Sequence, residues 1–163
     1  MPADDAIILA PAGPSDAGAI LFFIQELARY EKLAHELEVT EELLREYLFG
    51  PRPAAEAILA KIGDKAVGFA LFFTTYSTFV GLPGIWLEDL FVLPEHRRKG
   101  VGRKLLQRVA QIAVERNFGR LEWSVLDWNE MALRVYRKIG AEPMSDWTTQ
   151  RLVGEDLIRL AEG

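Results

Sequence analysis

Adjacent carboxylates, Glu88 and Asp89, lie within the apolar run Leu87-Glu88-Asp89-Leu90-Phe91-Val92, and a basic turn follows: Arg97-Arg98-Lys99-Gly100-Val101-Gly102-Arg103. A carboxylate at the end of a strand can accept a proton directly or through water. Gly100 and Gly102 let a ligand approach the backbone closely. They open a segment in which Leu105, Leu106, Val109, Ile112 and Ala113 recur at helical spacing. A helix start leaves its first N–H groups unpaired and carries partial positive charge, which suits it to a phosphate. The turn is not a Walker A loop, which requires Gly-Lys-Ser/Thr, and a dinucleotide fingerprint requires glycine where Leu105 stands. On the residues alone, a solvated basic turn stays open as the alternative. Glu88 and Asp89 likewise either serve one pocket or cap the strand in solvent beside the arginines. Successive strand residues point to opposite faces, so both reach one pocket only if a bulge intervenes.

Three further positions carry possible chemistry. Tyr30-Glu31 precedes an acidic neighbourhood of Glu36, Glu38, Glu41 and Glu42. Such a neighbourhood attracts a cation, although acidic runs are often only solvated faces. Tyr136 lies on the stripe Ala132, Val135, Tyr136, Ile139, where spacing alone reads as a core aromatic. Asn129 has the position of a helix N-cap. The two histidines, His35 and His96, are isolated and read as surface residues, and with no cysteine there is no thiolate chemistry.

The elements that must position these groups follow from periodicity and punctuation. A short strand, Ile7 to Leu9, precedes a helix that Ser15 caps and that runs to about Leu33, with Ile20, Phe23, Ile24 and Leu27 as its core stripe. Thr40 caps a second, short helix ending before Gly50-Pro51. Ala57 to Ile62 and Ala66 to Thr75 flank Gly63-Asp64 as a hairpin. Then come a strand from Ile85 to Val92, the loop and its helix to Arg116, a strand from Arg120 to Leu126, and a helix from Asn129 to about Ile139. Two strand-like pieces and a terminal helix, Glu155 to Ala161, complete the chain. The expectation is a single α/β (α+β) domain spanning 1–163, with a mixed sheet and helices on both faces.

Arg97-x-x-Gly100-x-Gly102, between a strand and a helix, resembles the Arg/Gln-x-x-Gly-x-Gly/Ala loop of the GNAT superfamily of N-acetyltransferases. Tyr30-Glu31, Gly68-Phe69-Ala70, Tyr76, Leu87-Glu88-Asp89, Leu126-Asp127-Trp128-Asn129-Glu130 and Tyr136 fall in the order of its spermidine/spermine (diamine) and thialysine branch. The resemblance covers about residues 5 to 160, and Leu-Asp-Trp-Asn is closer to the thialysine type. It implies the GNAT fold with about seven strands, acetyl-CoA as cosubstrate and a homodimer. It also implies cofactor contacts at Leu90, Phe91 and Val92, at Arg97, Arg98, Lys99, Gly100, Val101, Gly102 and Arg103, and at Asn129, Ala132 and Tyr136. Backbone N–H groups around Leu90 and Val92 would hold the thioester carbonyl. Tyr136 matches the tyrosine that reaches the CoA sulfur, and Glu88 matches the substrate-binding glutamate, the first candidate for catalysis beside Tyr136. Tyr30, Glu31, Asp89, Glu122, Trp123 and Ser124 are the remaining substrate positions. The types at Glu122, Trp123 and Ser124 depart from the human-type polyamine enzyme, which leaves the amine undecided. Trp86 and Phe79 are expected to add aromatic surface near the same pocket.

Composition narrows the alternatives. A chain of 163 residues, half apolar and 26% charged, has the size and composition of one globular domain. A net charge of −5 argues against a nucleic-acid partner. The apolar run Ala17 to Ile24 is too short to span a membrane and the N-terminus lacks a basic signal region, so a cytoplasmic location is expected. No metal is expected. The leading expectation is direct transfer of an acetyl group to a primary amine of a small cationic substrate, a polyamine, a diamine or a thialysine-like amino acid. The alternatives are acetylation of an aminoglycoside, a protein lysine or an N-terminus, or a CoA-binding regulatory module without turnover.

Overall fold

The computed structural model describes residues 6–163, which form two compact units divided in sequence after Ser124. In the first, five strands line up in chain order: β1 (Ile7–Pro11), β2 (Glu56–Ile62), β3 (Lys65–Ser77), β4 (Leu82–Val92) and β5 (Arg120–Trp123). The first four are antiparallel and β5 runs parallel to β4, so the sheet is mixed. Helices α1 (Ala17–Tyr30) and α2 (Glu41–Phe49) cover one face, and α3 (Val101–Glu115) covers the other. Ala57, Ile58, Leu59 and Ala60 of β2 are all buried because both faces of the sheet are covered. On the α1 face Phe23 stacks on Phe69 at 5.4 Å, beside Ile20, Leu59 and Leu71. On the other face Leu105 and Val109 of α3 pack with Val67, Phe72 and Ile85.

Several expectations of local structure hold. Thr40 Oγ1 accepts from Leu43 N–H at 3.2 Å and starts α2, and Gly63-Asp64 turns the β2–β3 hairpin. The first helix differs. Asp16, not Ser15, occupies the cap position, and its carboxylate accepts from Gly13 N–H at 2.8 Å, bracing the preceding turn.

The second unit, Val125–Gly163, contains α4 (Glu130–Lys138) and α5 (Gly154–Glu162). Asn129 caps α4 by accepting from Ala132 N–H at 3.3 Å. Residues 141–153 form no strand, so among the described residues the sheet has five strands and not about seven. A strand exists only where a ladder takes up its N–H and C=O groups, and this segment joins none among the described residues. Along α4 the more covered positions are Ala132, Leu133 and Tyr136, while Val135 and Ile139 are exposed. Spacing defines a wide apolar stripe but does not choose which edge of it is covered.

Candidate active site

The β3–β4 register shifts at one point: Phe72 pairs with Leu87 and Leu71 with Asp89, leaving Glu88 as the extra residue of a β-bulge. Leu87 lies in the α3-side core with Phe72, whereas Phe91 lies in the α1-side core with Phe69 and Leu71. Residues opposite one another in a ladder share a face, so the bulge turns Asp89 toward α1. Glu88 stays on the face of Trp86, whose indole N–H donates to Glu88 Oε2 at 2.7 Å. The bulge therefore overcomes the alternation that would have separated the two carboxylates.

The end of α1 supplies the third acid. Lys32 adopts φ 64°, Lys32 N–H bonds Arg29 O at 3.1 Å, and Leu33 N–H reaches back to Ala28 O at 2.8 Å. This Schellman turn stops the helix at Tyr30, short of Leu33, and presents Tyr30 and Glu31 at its end. Burial raises the Glu31 carboxyl above its ordinary value. Asp89 is pushed up to about 7, by burial first and then by the charges of Glu88 and Glu31. Arg97 closes the group: its guanidinium lies 5.2 Å from the Tyr30 ring centroid and 5.3 Å from that of Phe91, and its Nε–H donates to Val92 O at 3.0 Å. The motif arginine thus joins the loop to the end of α1 and to β4, a contact that no spacing in the sequence announces.

The raised Asp89 carboxyl has a consequence for stability. Its folded value lies above the 3.8 of an unperturbed aspartate. Between these values the folded chain therefore holds a proton that the unfolded chain has released. Stability from this group is present below about pH 4, falls as pH rises, and is lost above about 7. Asp89→Asn is expected to gain about 1–2 kcal/mol in denaturant unfolding at pH 8, and little at pH 4.

Between Val92 and α3 the chain turns through Pro94–His96, then through Arg98 at φ 62° and Gly100 at φ 84°. Left-handed residues in such a loop curl its N–H groups toward one side. Gly100 is the N-cap of α3 and its carbonyl accepts from Lys104 N–H at 3.0 Å, so the N–H groups of Val101, Gly102 and Arg103 precede the helical ladder. A Cβ on Gly102 would meet Val92 and Leu90 side chains at 3.6 and 3.8 Å, ordinary contact. His96, expected at the surface, is partly covered, and its Nδ1 is enclosed without a hydrogen-bond partner.

Pairing of β4 with β5 ends at Leu87 and Trp123. Leu93 N–H bonds Val67 O at 2.9 Å on the β3 side. Alternation along the strand therefore turns the N–H groups of Leu90 and Val92 to the opposite edge, beyond the end of the β5 ladder. That is the edge on which a thioester carbonyl was expected. Glu122 pairs with Trp86 in register and shares its face, whereas Trp123 pairs with Leu87 and packs against the α3-side core. Ser124 is exposed just past β5. Phe79 is 86% exposed at the β3–β4 hairpin tip, roughly 20 Å along the strand from the bulge, so it does not join Trp86 as expected. In the second unit Asn129, Ala132 and Tyr136 lie at the start and along α4, and burial raises the Tyr136 phenol above its ordinary value. Among the described residues no group of His, Asp and Glu is arranged to hold a metal ion, and no helix is long and apolar enough to cross a membrane.

Comparison with known proteins bears on this geometry. Residues 22–141 match the acetyltransferase (GNAT) family. The chain is 36% identical over 166 residues to thialysine N-epsilon-acetyltransferase of Bos taurus, covering 95% of this chain and 97% of that one. It is 31% identical over 191 residues to L-ornithine N5-acetyltransferase of Arabidopsis thaliana, covering 90% and 84%. Among solved structures, an integron cassette protein from the mobile metagenome of V. cholerae superposes with a TM-score of 0.78 at 28% identity, covering 96% and 98%. This chain belongs to the GNAT acetyltransferase family and is an N-acetyltransferase.

Proposed function

We propose that the enzyme uses acetyl-CoA to acetylate a primary amine of a small substrate bearing a second positive charge, a diamine, a polyamine or a thialysine-like amino acid. The observation that carries this reading is the convergence of Glu31, Glu88 and Asp89 on the α1 face beside Tyr30. Three acids and an aromatic ring suit a cationic substrate. The relatives named for thialysine and ornithine support an amino acid with a distal amine.

The loop fits a pyrophosphate. The left-handed Gly100, the N–H groups of Val101, Gly102 and Arg103, and the positive charges of Arg98, Lys99 and Arg103 are the donors such a group requires. Acetyl-CoA, when bound, supplies the activated acetyl group. The outward N–H groups of Leu90 and Val92 are offered to its carbonyl oxygen. An ammonium with a pKa near about 10.4 must lose a proton before it attacks, and one of the two bulge carboxylates accepts it. Tyr136, a phenol whose ordinary value of about 10 burial raises further, donates a hydrogen bond where the thiolate departs. A cytoplasmic homodimer belongs to the same reading; exposed apolar residues along α5, Leu157, Ile158 and Leu160, support a covering partner.

The test is a panel of spermidine, spermine, a short diamine, thialysine, lysine, ornithine and a neutral-tailed amine, read by thiol release and product mass. Dicationic substrates are expected to react with higher kcat/KM than the neutral-tailed amine. Glu31→Gln is expected to raise KM for a dication about 10-fold and to leave the neutral-tailed amine almost unchanged, since a remote charge pair contributes uniform binding. Equal efficiency across the panel, with Glu31→Gln indistinguishable from the parent, excludes a second-charge site.

A further inference from the structure

We propose that Asp89, not Glu88, accepts the amine proton, and that Glu88, pinned by Trp86, sets the field around it. This inference rests on the amine-acetylating reading above.

The division of labour comes from the bulge. Glu88 is the extra residue, exposed, with an oxygen held by the Trp86 indole N–H at 2.7 Å. One of its acceptor oxygens is therefore already engaged, and the carboxylate faces solvent and not the α1-side core. Asp89 is the residue the bulge turns inward, opposite Leu71 and beside the Phe69 and Phe91 rings of the α1-side core. The charges acting on it are Glu88 on its own strand and Glu31 at the end of α1; from the loop, the Arg97 guanidinium is engaged with the Tyr30 and Phe91 rings and the Val92 carbonyl. Two flanking acids make a charged Asp89 expensive and a protonated one acceptable. Two neighbouring carboxylates in unequal environments commonly divide acid–base roles in this way.

Asp89 carboxylate takes one proton from the substrate ammonium and becomes a carboxylic acid. The freed nitrogen pair forms the N–C bond to the acetyl carbon as the C–S bond breaks, and the second nitrogen proton leaves with the sulfur as thiol. Asp89 then returns its proton to water. Raising an aspartate from its ordinary range to about 7 brings it about 1,000-fold closer in proton affinity to the amine.

The two assignments predict mirror-image pH profiles of kcat/KM for thialysine, which report the free enzyme. With Asp89 as acceptor, the parent shows an acid limb near pH 7. Glu88→Gln removes a charge that raises Asp89, so the limb survives and moves to lower pH. Asp89→Asn loses the limb, with kcat/KM lowered about 10-fold or more. The reverse outcome, a limb lost in Glu88→Gln and merely shifted in Asp89→Asn, overturns the proposal. A second readout needs neither turnover nor an Asp89 variant: carbon-detected NMR titration of the parent protein, with Asp89 assigned by comparison with Glu88→Gln. The Asp89 carboxyl is expected to titrate near 7 and to shift downward in Glu88→Gln. Titration in the ordinary aspartate range excludes it as acceptor. Absence of turnover with every amine counts against the functional reading, while the NMR result still decides whether Asp89 is poised.

Discussion

Gly102→Asp is expected to weaken acetyl-CoA binding about 100-fold or more, equivalent to about 2.7 kcal/mol, in a protein that still folds. The second half of that statement comes from the packing. A Cβ at position 102 would meet Val92 and Leu90 only at ordinary contact distances, and Gly102 has no left-handed backbone to lose. The first half comes from charge. The side chain would place a carboxylate at the helix start, among N–H groups that α3 does not use, where the phosphates are to sit. Like charges forced together cost several kcal/mol. Arg98→Ala removes one exposed side chain and leaves those N–H groups in place, so its effect is expected to be several-fold smaller. Calorimetric titration of CoA into both variants, with thermal unfolding as a control, checks the ranking. Unchanged affinity in folded Gly102→Asp removes the pyrophosphate from this loop.

Tyr136→Phe is expected to lower kcat by about 10- to 100-fold while CoA affinity and fold survive, the range a positioned proton donor supplies. The ring remains to pack along α4, and only the hydroxyl is lost. A phenol is protonated through neutral pH and burial raises it further, so the parent enzyme can donate from it to developing negative charge. Single-turnover measurement, which isolates chemistry from product release, is the proper readout. Parental single-turnover rates in Tyr136→Phe return this tyrosine to a packing role.

The turn at Gly100 and the helix after it were legible because their signals are local. Glycine where the backbone turns left-handed, apolar residues at helical spacing after it, and an apolar strand before it are statements about neighbouring residues, and α3 and Gly100 follow them. Thr40 and Asn129 were readable as caps for the same reason, since each bonds within three residues of itself. The strand count was less legible: two strand-like pieces were expected after α4, but pairing depends on a partner distant in the chain, and residues 141–153 find none among the described residues.

What tertiary structure alone decided is how the acids meet. The sequence places Glu88 and Asp89 side by side on a strand, where alternation predicts opposite faces. Only the register against β3, with Leu71 opposite Asp89 and Phe72 opposite Leu87, inserts the bulge that turns Asp89 to α1 and leaves Glu88 beside Trp86. Only the ending of α1 at Tyr30 brings Glu31 within electrostatic reach of Asp89, and only the fold lays Arg97 over Tyr30 and Phe91. Residue types and short spacings determine which groups are capable of chemistry. Burial and the charges of residues far along the chain determine which carboxylate is pushed toward neutrality, because desolvation and Coulomb energies depend on distance in space and not on separation in sequence.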